Sequence, residues 1–136
     1  MPKDMTMSIE LVVTDEAAEG LALDAALEVN GSVDLLELAP GDDVASLANR
    51  LEDIVAIRVT FPSFADGRGF TQAKQLRRMG YTGRLVASGH VINDQFRMAQ
   101  AVGFDQVELS SERAERQNAG GWAVDLATGN YLDRLR

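Results

Sequence analysis

Ile54-Val55-Ala56-Ile57-Arg58-Val59-Thr60-Phe61 is the stretch that decides the fold. It is apolar or β-branched at nearly every position and carries one charge, Arg58. A strand with one wet face alternates apolar and polar residues. A near-continuous apolar run marks a strand covered on both faces, as in parallel sheets. Arg58 therefore sits at an edge of the sheet or points into a site. On the N-terminal side, Val44, Leu47, Ala48 and Leu51 recur at helical spacing, which predicts a helix capped by Asp42. On the C-terminal side, Pro62 to Arg68 is rich in turn residues. A helix is expected from Gly69 to Met79, with Phe70, Ala73 and Leu76 inward and Lys74, Gln75, Arg77 and Arg78 facing away. Gly80 stands where a left-handed cap is needed.

The same alternation continues outward. Ile9 to Val13, Val33 to Leu38, Arg84 to Ser88 and Gln106 to Leu109 read as strands. The Ala- and Leu-rich run from Asp15 to Val29 reads as a helix ended by Asn30-Gly31. Asn93 caps a helix carrying Phe96, Ala99 and Val102, and Gly103 ends it. Ser110 or Ser111 caps a last short helix through Gln117. Beyond Gly120-Gly121 the chain reads as irregular, with Trp122 and Tyr131 as anchors. Strand–helix alternation with short links is the pattern of βαβ units. The expectation is one α/β domain over residues 1–136 with a small parallel sheet, either half-barrel-like or an open three-layer sheet. About four or five strands are too few for an eight-stranded barrel. One sheet face left open would invite a second copy, most simply a homodimer.

Composition removes whole classes of chemistry. The chain has 136 residues, 46% of them apolar, enough for a core of its own. It has no cysteine, so disulfides, thiolate nucleophiles and cysteine-ligated zinc or iron–sulfur centres cannot be built from it. A single histidine, His90, argues against a His-based metal site. No apolar run is long enough to span a membrane and the N-terminus does not resemble a signal peptide, so a cytoplasmic protein is expected. The net charge of −8 argues against nucleic-acid binding. That charge is uneven: residues 1–65 carry −10, residues 66–97 carry +4 and residues 98–136 carry −2. The basic centre suits a small anion or an acidic partner surface; alternatively its arginines only solvate helix faces.

In a parallel sheet, sites form beyond the C-terminal strand ends. Three loops meet there: Phe61 to Gly69, Gly89 to Gln95, and Ser110 to Arg113. Asp66-Gly67-Arg68-Gly69 is the most informative of these stretches. Its glycines permit close approach and positive φ, the following helix start offers free N–H groups, and Arg68 offers a forked pair of donors. Gln72, with Thr71, adds hydrogen-bonding capacity in the first turn. The competing reading is structural, with Asp66 as a cap and Arg68 paired to Asp66 or Asp94. Candidate proton-moving groups are Asp66, His90 and Asp94. The candidate ligand set is Asp66, Gly67, Arg68, Gly69, Gln72, Gly89, Asp94 and Gln95. No nucleotide-binding fingerprint, phosphate loop or catalytic triad is present, and no cofactor is expected.

From Phe61 onward the chain resembles a known family. Phe61-Pro62-Ser63-Phe64-Ala65-Asp66-Gly67-Arg68-Gly69-Phe70-Thr71-Gln72-Ala73 is similar to its signature, as are Leu76-Arg77, Gly80-Tyr81-Thr82-Gly83, Gly89 with Asp94-Gln95, and Gly103-Phe104-Asp105 with Glu108-Leu109. The family is the bacterial domain of unknown function 934 group, and the resemblance covers about residues 33–110. The chain departs from it at His90, where an Asp is usual. The resemblance implies a probable oxidoreductase of sulfite reduction, encoded near the sulfite reductase haemoprotein. A chain without cysteine has no redox centre of its own for that chemistry, and would need a borrowed flavin, nicotinamide or partner haem. The expectation is an accessory partner of sulfite reductase. The alternative is a small enzyme or sensor that binds an anionic sulfur or phosphate ligand at the Asp66–Gly69 loop.

Overall fold

A computed structural model describes residues 9–63, 65–91 and 95–119. Its centre is a parallel sheet of six strands: β1 (Glu10–Val13), β2 (Leu21–Ala22), β3 (Leu36–Leu38), β4 (Ala56–Phe61), β5 (Arg84–Gly89) and β6 (Gln106–Leu109). The order across the sheet is β1-β6-β5-β4-β3-β2. From β2 to β6 the strands follow in sequence without reversal. Right-handed crossovers then all fall on one face. This is the half-barrel-like alternative, in an open sheet whose edges are β1 and β2.

The core lies on that crossover face. Leu36, Leu38, Ile57, Val59, Phe61, Leu85, Ala87, Val107 and Leu109 project onto it, because alternate residues of a strand share a face. Helix α2 (Arg68–Arg78) covers them with Phe70, Ala73 and Leu76, and helix α3 (Phe96–Val102) with Phe96 and Ala99. Phe61, Phe70 and Phe104 form an aromatic cluster with centroids 4.8–6.4 Å apart. Gly69 lets α2 approach so closely: a Cβ there would lie 2.6 Å from the Phe61 ring.

The opposite face is mostly polar, with the buried Val86 of β5 between Arg58 and Gln106. Glu37, Arg58, Thr60, Ser88, Gln106 and Glu108 alternate with the core residues on it. The run at 54–61 predicts a strand covered on both faces, and β4 has no exposed residue. Its second face is Ala56, Arg58 and Thr60, and Arg58 is buried by charged neighbours on a central strand, not at an edge.

Two predicted helices are corrected. Asp15 to Val29 holds strand β2 and a five-residue helix, α1 (Leu23–Leu27), with residues 15–19 exposed. Gly20 fits against Leu35 and Glu37 where a Cβ would clash, and this lets Leu21 pair with β3. Strand pairing overrides the helical propensity of the Ala-rich run. The segment Asp42 to Leu51 is not an α-helix but 3₁₀ turns at Val44–Leu47 and Leu51–Asp53. Three residues per turn keep Val44 and Leu47 in line and buried, while Ala48 is exposed. Asp43, not Asp42, caps the first turn by accepting from the Ala45 N–H. Asp42 closes the preceding loop by accepting from the Ala39 N–H at 2.8 Å.

The strand expected from Val33 begins at Leu36, with Val33 making an isolated bridge to Ile54, and the remaining elements stand within a residue or two of their expected places. Gly80 and Gly103 follow α2 and α3 with φ of 103° and 108°. Ser110 caps the last helix, α4 (Ser111–Ala119), accepting from the Arg113 N–H. The expected cap Asn93 and the expected anchors Trp122 and Tyr131 lie outside the described residues.

Arg77 does not face away. It donates to the carbonyls of Tyr81, Gly83 and Gly103 and pairs with Asp105 at 2.9 Å, with its guanidinium 5.7 Å from the Tyr81 ring centre. Tyr81 in turn donates to the Ile54 carbonyl, and burial pushes its phenol up to about 12. Arg77→Ala strips partners from several part-buried acceptors at once. It is expected to cost about 2 kcal/mol in urea unfolding. Arg78→Ala, one residue on and exposed, is expected to change stability by less than about 0.5 kcal/mol.

Candidate functional site

The parallel sheet brings the ends of β4, β5 and β6 to one rim, and the loops singled out in the sequence meet there. The loop after β4 folds on itself: the Ser63 carbonyl accepts from Asp66 N–H and the Ser63 hydroxyl accepts from Ala65 N–H. Asp66 then takes hold of Arg68. Its carboxylate accepts from the Arg68 backbone N–H at 3.1 Å, from Nε at 3.0 Å and from Nη2 at 2.7 Å. Arg68 in return holds the Asp66 carboxyl at about 2, well below its ordinary 3.8. The contribution of this pair is complete above pH 3.8 and is lost as the pH falls toward 2.

The forked donor face of Arg68 is thus occupied by its own neighbour. Neither glycine of the stretch has positive φ: Gly67 precedes α2 with φ −89°, and Gly69 serves helix–strand packing. Gln72 is buried and reaches the loop after β3. Its amide donates to the carbonyls of Ala39 (2.9 Å) and Asp42 (3.3 Å) and fastens that loop to α2, while its Oε1 is buried without a partner among the described residues. A groove of about 390 Å³ is lined by Gly41–Val44 and by Arg68, Thr71, Gln72 and Gln75.

On the next strand end, Gly89 has φ 107° and the His90 N–H donates to the Phe61 carbonyl at 2.8 Å. This fixes the His90 ring beside α4, where the Arg113 guanidinium meets its Nε2. Burial and the Arg113 charge lower the His90 pKa from 6.5. The contact and the shift agree on a neutral imidazole whose Nε2 accepts and whose Nδ1 carries the proton. Asp15, from the chain leaving β1, accepts from the Ser111 N–H at 3.0 Å and its hydroxyl at 2.7 Å. Gln95 stands immediately before α3. Asp94 lies outside the described residues. The rim therefore gathers Asp66, Gly67, Arg68, Gly69, Gly89, His90 and Gln95 on neighbouring strand ends, with Gln72 bridging α2 to the loop after β3.

A second constellation occupies the polar sheet face. Arg58 reaches Glu37 on β3 and, across β5, Glu108 on β6. The Nε–Oε1 distance to Glu108 is 3.0 Å, yet the atoms are not aligned for a hydrogen bond, so this contact is chiefly Coulombic. Glu37 and Glu108 were not among the sequence candidates. The signal was one charge at an alternate position of each short strand, opposite the lone charge of β4. Glu37 also borders a cleft of about 590 Å³ lined with Gly20, Leu23, Leu27, Pro40 and Thr60. The charged lining of that cleft is Asp24, Glu37 and Asp42. Its field repels anions.

Among the described residues no three His, Asp or Glu side chains are grouped to hold a metal ion. No helix there is long and apolar enough to cross a membrane. A comparison with curated proteins finds no match. The profile of a bacterial protein family of unknown function, DUF934, matches residues 36–131, which spans β3 to β6 with the whole rim, and the chain belongs to that family.

Proposed function

We propose that this protein is a cytoplasmic accessory partner of sulfite reductase and docks on it through the outer surfaces of α2 and α3. The link to sulfite reduction comes from the family resemblance. The observation that carries the docking mode is the state of the basic residues. Arg68, Arg77 and Arg84 each have an acidic partner in Asp66, Asp105 and Glu10. Lys74, Arg78 and Arg97 are exposed and make no ion pair among the described residues. They lie on two helices packed side by side, with the half-exposed Met98 beside them. On a chain of charge −8, such a patch steers an acidic surface toward one side of the molecule. The absence of cysteine fits a partner that leaves electron transfer to the haemoprotein.

The test is binding of the purified chain to the sulfite reductase haemoprotein at increasing salt. Association at low ionic strength is expected, weakening about tenfold or more by roughly 0.3 M salt as exposed charges are screened. Lys74→Glu with Arg78→Glu should weaken it by a similar factor with the fold intact. No association at low salt overturns the proposal.

A further inference from the structure

Among the described residues of the rim, His90 and Arg113 bring a cation against a titratable base with no carboxylate in the contact. Among the described residues Arg113 has no ion pair, and its guanidinium meets His90 Nε2. Among the described residues the charged groups on the surrounding elements face elsewhere, Glu115 on α4 being exposed. Asp66 and Arg68 after β4 bind each other, Glu108 on β6 faces Arg58, and Asp15 is held by Ser111. On α3, Arg97 is exposed, and on α4, Glu112 has a partner of its own. Of these groups, Arg113 is the one whose charge acts on His90.

We propose that His90 and Arg113 are the receptor for a small inorganic oxyanion, taken up together with a proton on His90. In the free protein, Nε2 accepts from the guanidinium. Once Nε2 takes a proton from solvent, both groups are donors and both are positive, so the contact cannot persist unaided. An oxyanion beside them accepts from Nε2–H and from the guanidinium fork, and its charge offsets the repulsion. Arg113 suits this better than Arg68, whose Nε–Nη2 edge is held by Asp66 and whose charge that carboxylate already offsets. The inference goes beyond the docking proposal and does not depend on it: a protein that never meets sulfite reductase can still bind an anion here.

The single histidine makes the test direct, since the chain gives one imidazole signal. The Cε1–H resonance of His90 is followed against pH in sodium chloride and in sodium sulfate at equal ionic strength. In chloride the midpoint is expected below 6.5. In sulfate it is expected to rise by about half a pH unit or more, because an anion that prefers the protonated ring raises its pKa. Inorganic phosphate should act in the same direction. Arg113→Gln should bring the chloride midpoint up and abolish the sulfate effect, whereas Arg68→Gln should leave that effect in place. Isothermal titration of the wild-type chain with sulfate at pH 5.5 and 7.5 adds a measurement that needs no variant, with tighter binding expected at the lower pH. Equal midpoints in chloride and sulfate overturn the proposal. So does an effect that survives Arg113→Gln or vanishes in Arg68→Gln, or an affinity independent of pH.

Discussion

Arg58→Ala is expected to destabilise the fold by roughly 3–5 kcal/mol, the largest loss from any single charge in this chain. Arg58 is 8% exposed at its side chain and Glu108 12%. Without the guanidinium, the Glu108 carboxylate stays on the central sheet face with nothing to offset its lost hydration. Glu37 stands nearer solvent and loses less. Arg58→Lys is expected to recover only part of the loss, because one ammonium cannot serve strands on both sides of β4. Replacing the set together, Glu37→Gln with Arg58→Met and Glu108→Gln, should return stability to within about 1 kcal/mol of wild type, since buried ion pairs rarely outperform neutral groups of similar size. Urea unfolding followed by circular dichroism separates these cases. A loss below about 1 kcal/mol for Arg58→Ala would show that water already reaches the network.

Arg58 also marks the limit of what the sequence made legible. The run Ile54–Phe61 announced a buried parallel strand, and β4 is one. The run did not say that its second face would be ionic, because that depends on which residues register opposite Arg58. Glu37 lies in a strand of three residues and Glu108 in one of four, too short for alternation to stand out. The elements read correctly are those whose local signals agree with their tertiary setting: α2 between a turn and Gly80, α3 ended by Gly103, β5 and β6 bounded by polar turns. The failures are the two places where tertiary contacts outvote local pattern. At Leu21–Ala22 an edge pairing defeats an Ala-rich helix, and at Val44–Asp53 the apolar spacing was real but the helix was wound at three residues per turn. The rim was legible because parallel strands fix it. The pairing within it was not. Asp66 with Arg68 is local and was foreseen, but His90 with Arg113 joins residues on different elements that no short motif connects.

Gly89→Ala is expected to cost about 3 kcal/mol and to damage the rim more than its size suggests. The Gly89 φ of 107° lies where L-residues are strained, a cost of roughly 1–2 kcal/mol for a side chain. A Cβ at this position would also stand 2.6 Å from the Phe61 carbonyl oxygen. That oxygen cannot yield cheaply, because it accepts the His90 N–H and ends the β4–β5 ladder. Relief therefore requires the β5 end to swing outward, which carries the His90 ring away from Arg113. Two readouts follow from the one substitution: a lowered urea midpoint, and a His90 midpoint in chloride that moves up toward 6.5 as burial and the Arg113 charge are both withdrawn. Gly31→Ala is the matched control. It also has positive φ, at 115°, but a Cβ there meets open space. It should show the backbone strain alone, about 1–2 kcal/mol, and leave the His90 titration where it was. Equal losses for the two variants would mean that the backbone conformation, not the crowding against Phe61, makes glycine necessary at position 89.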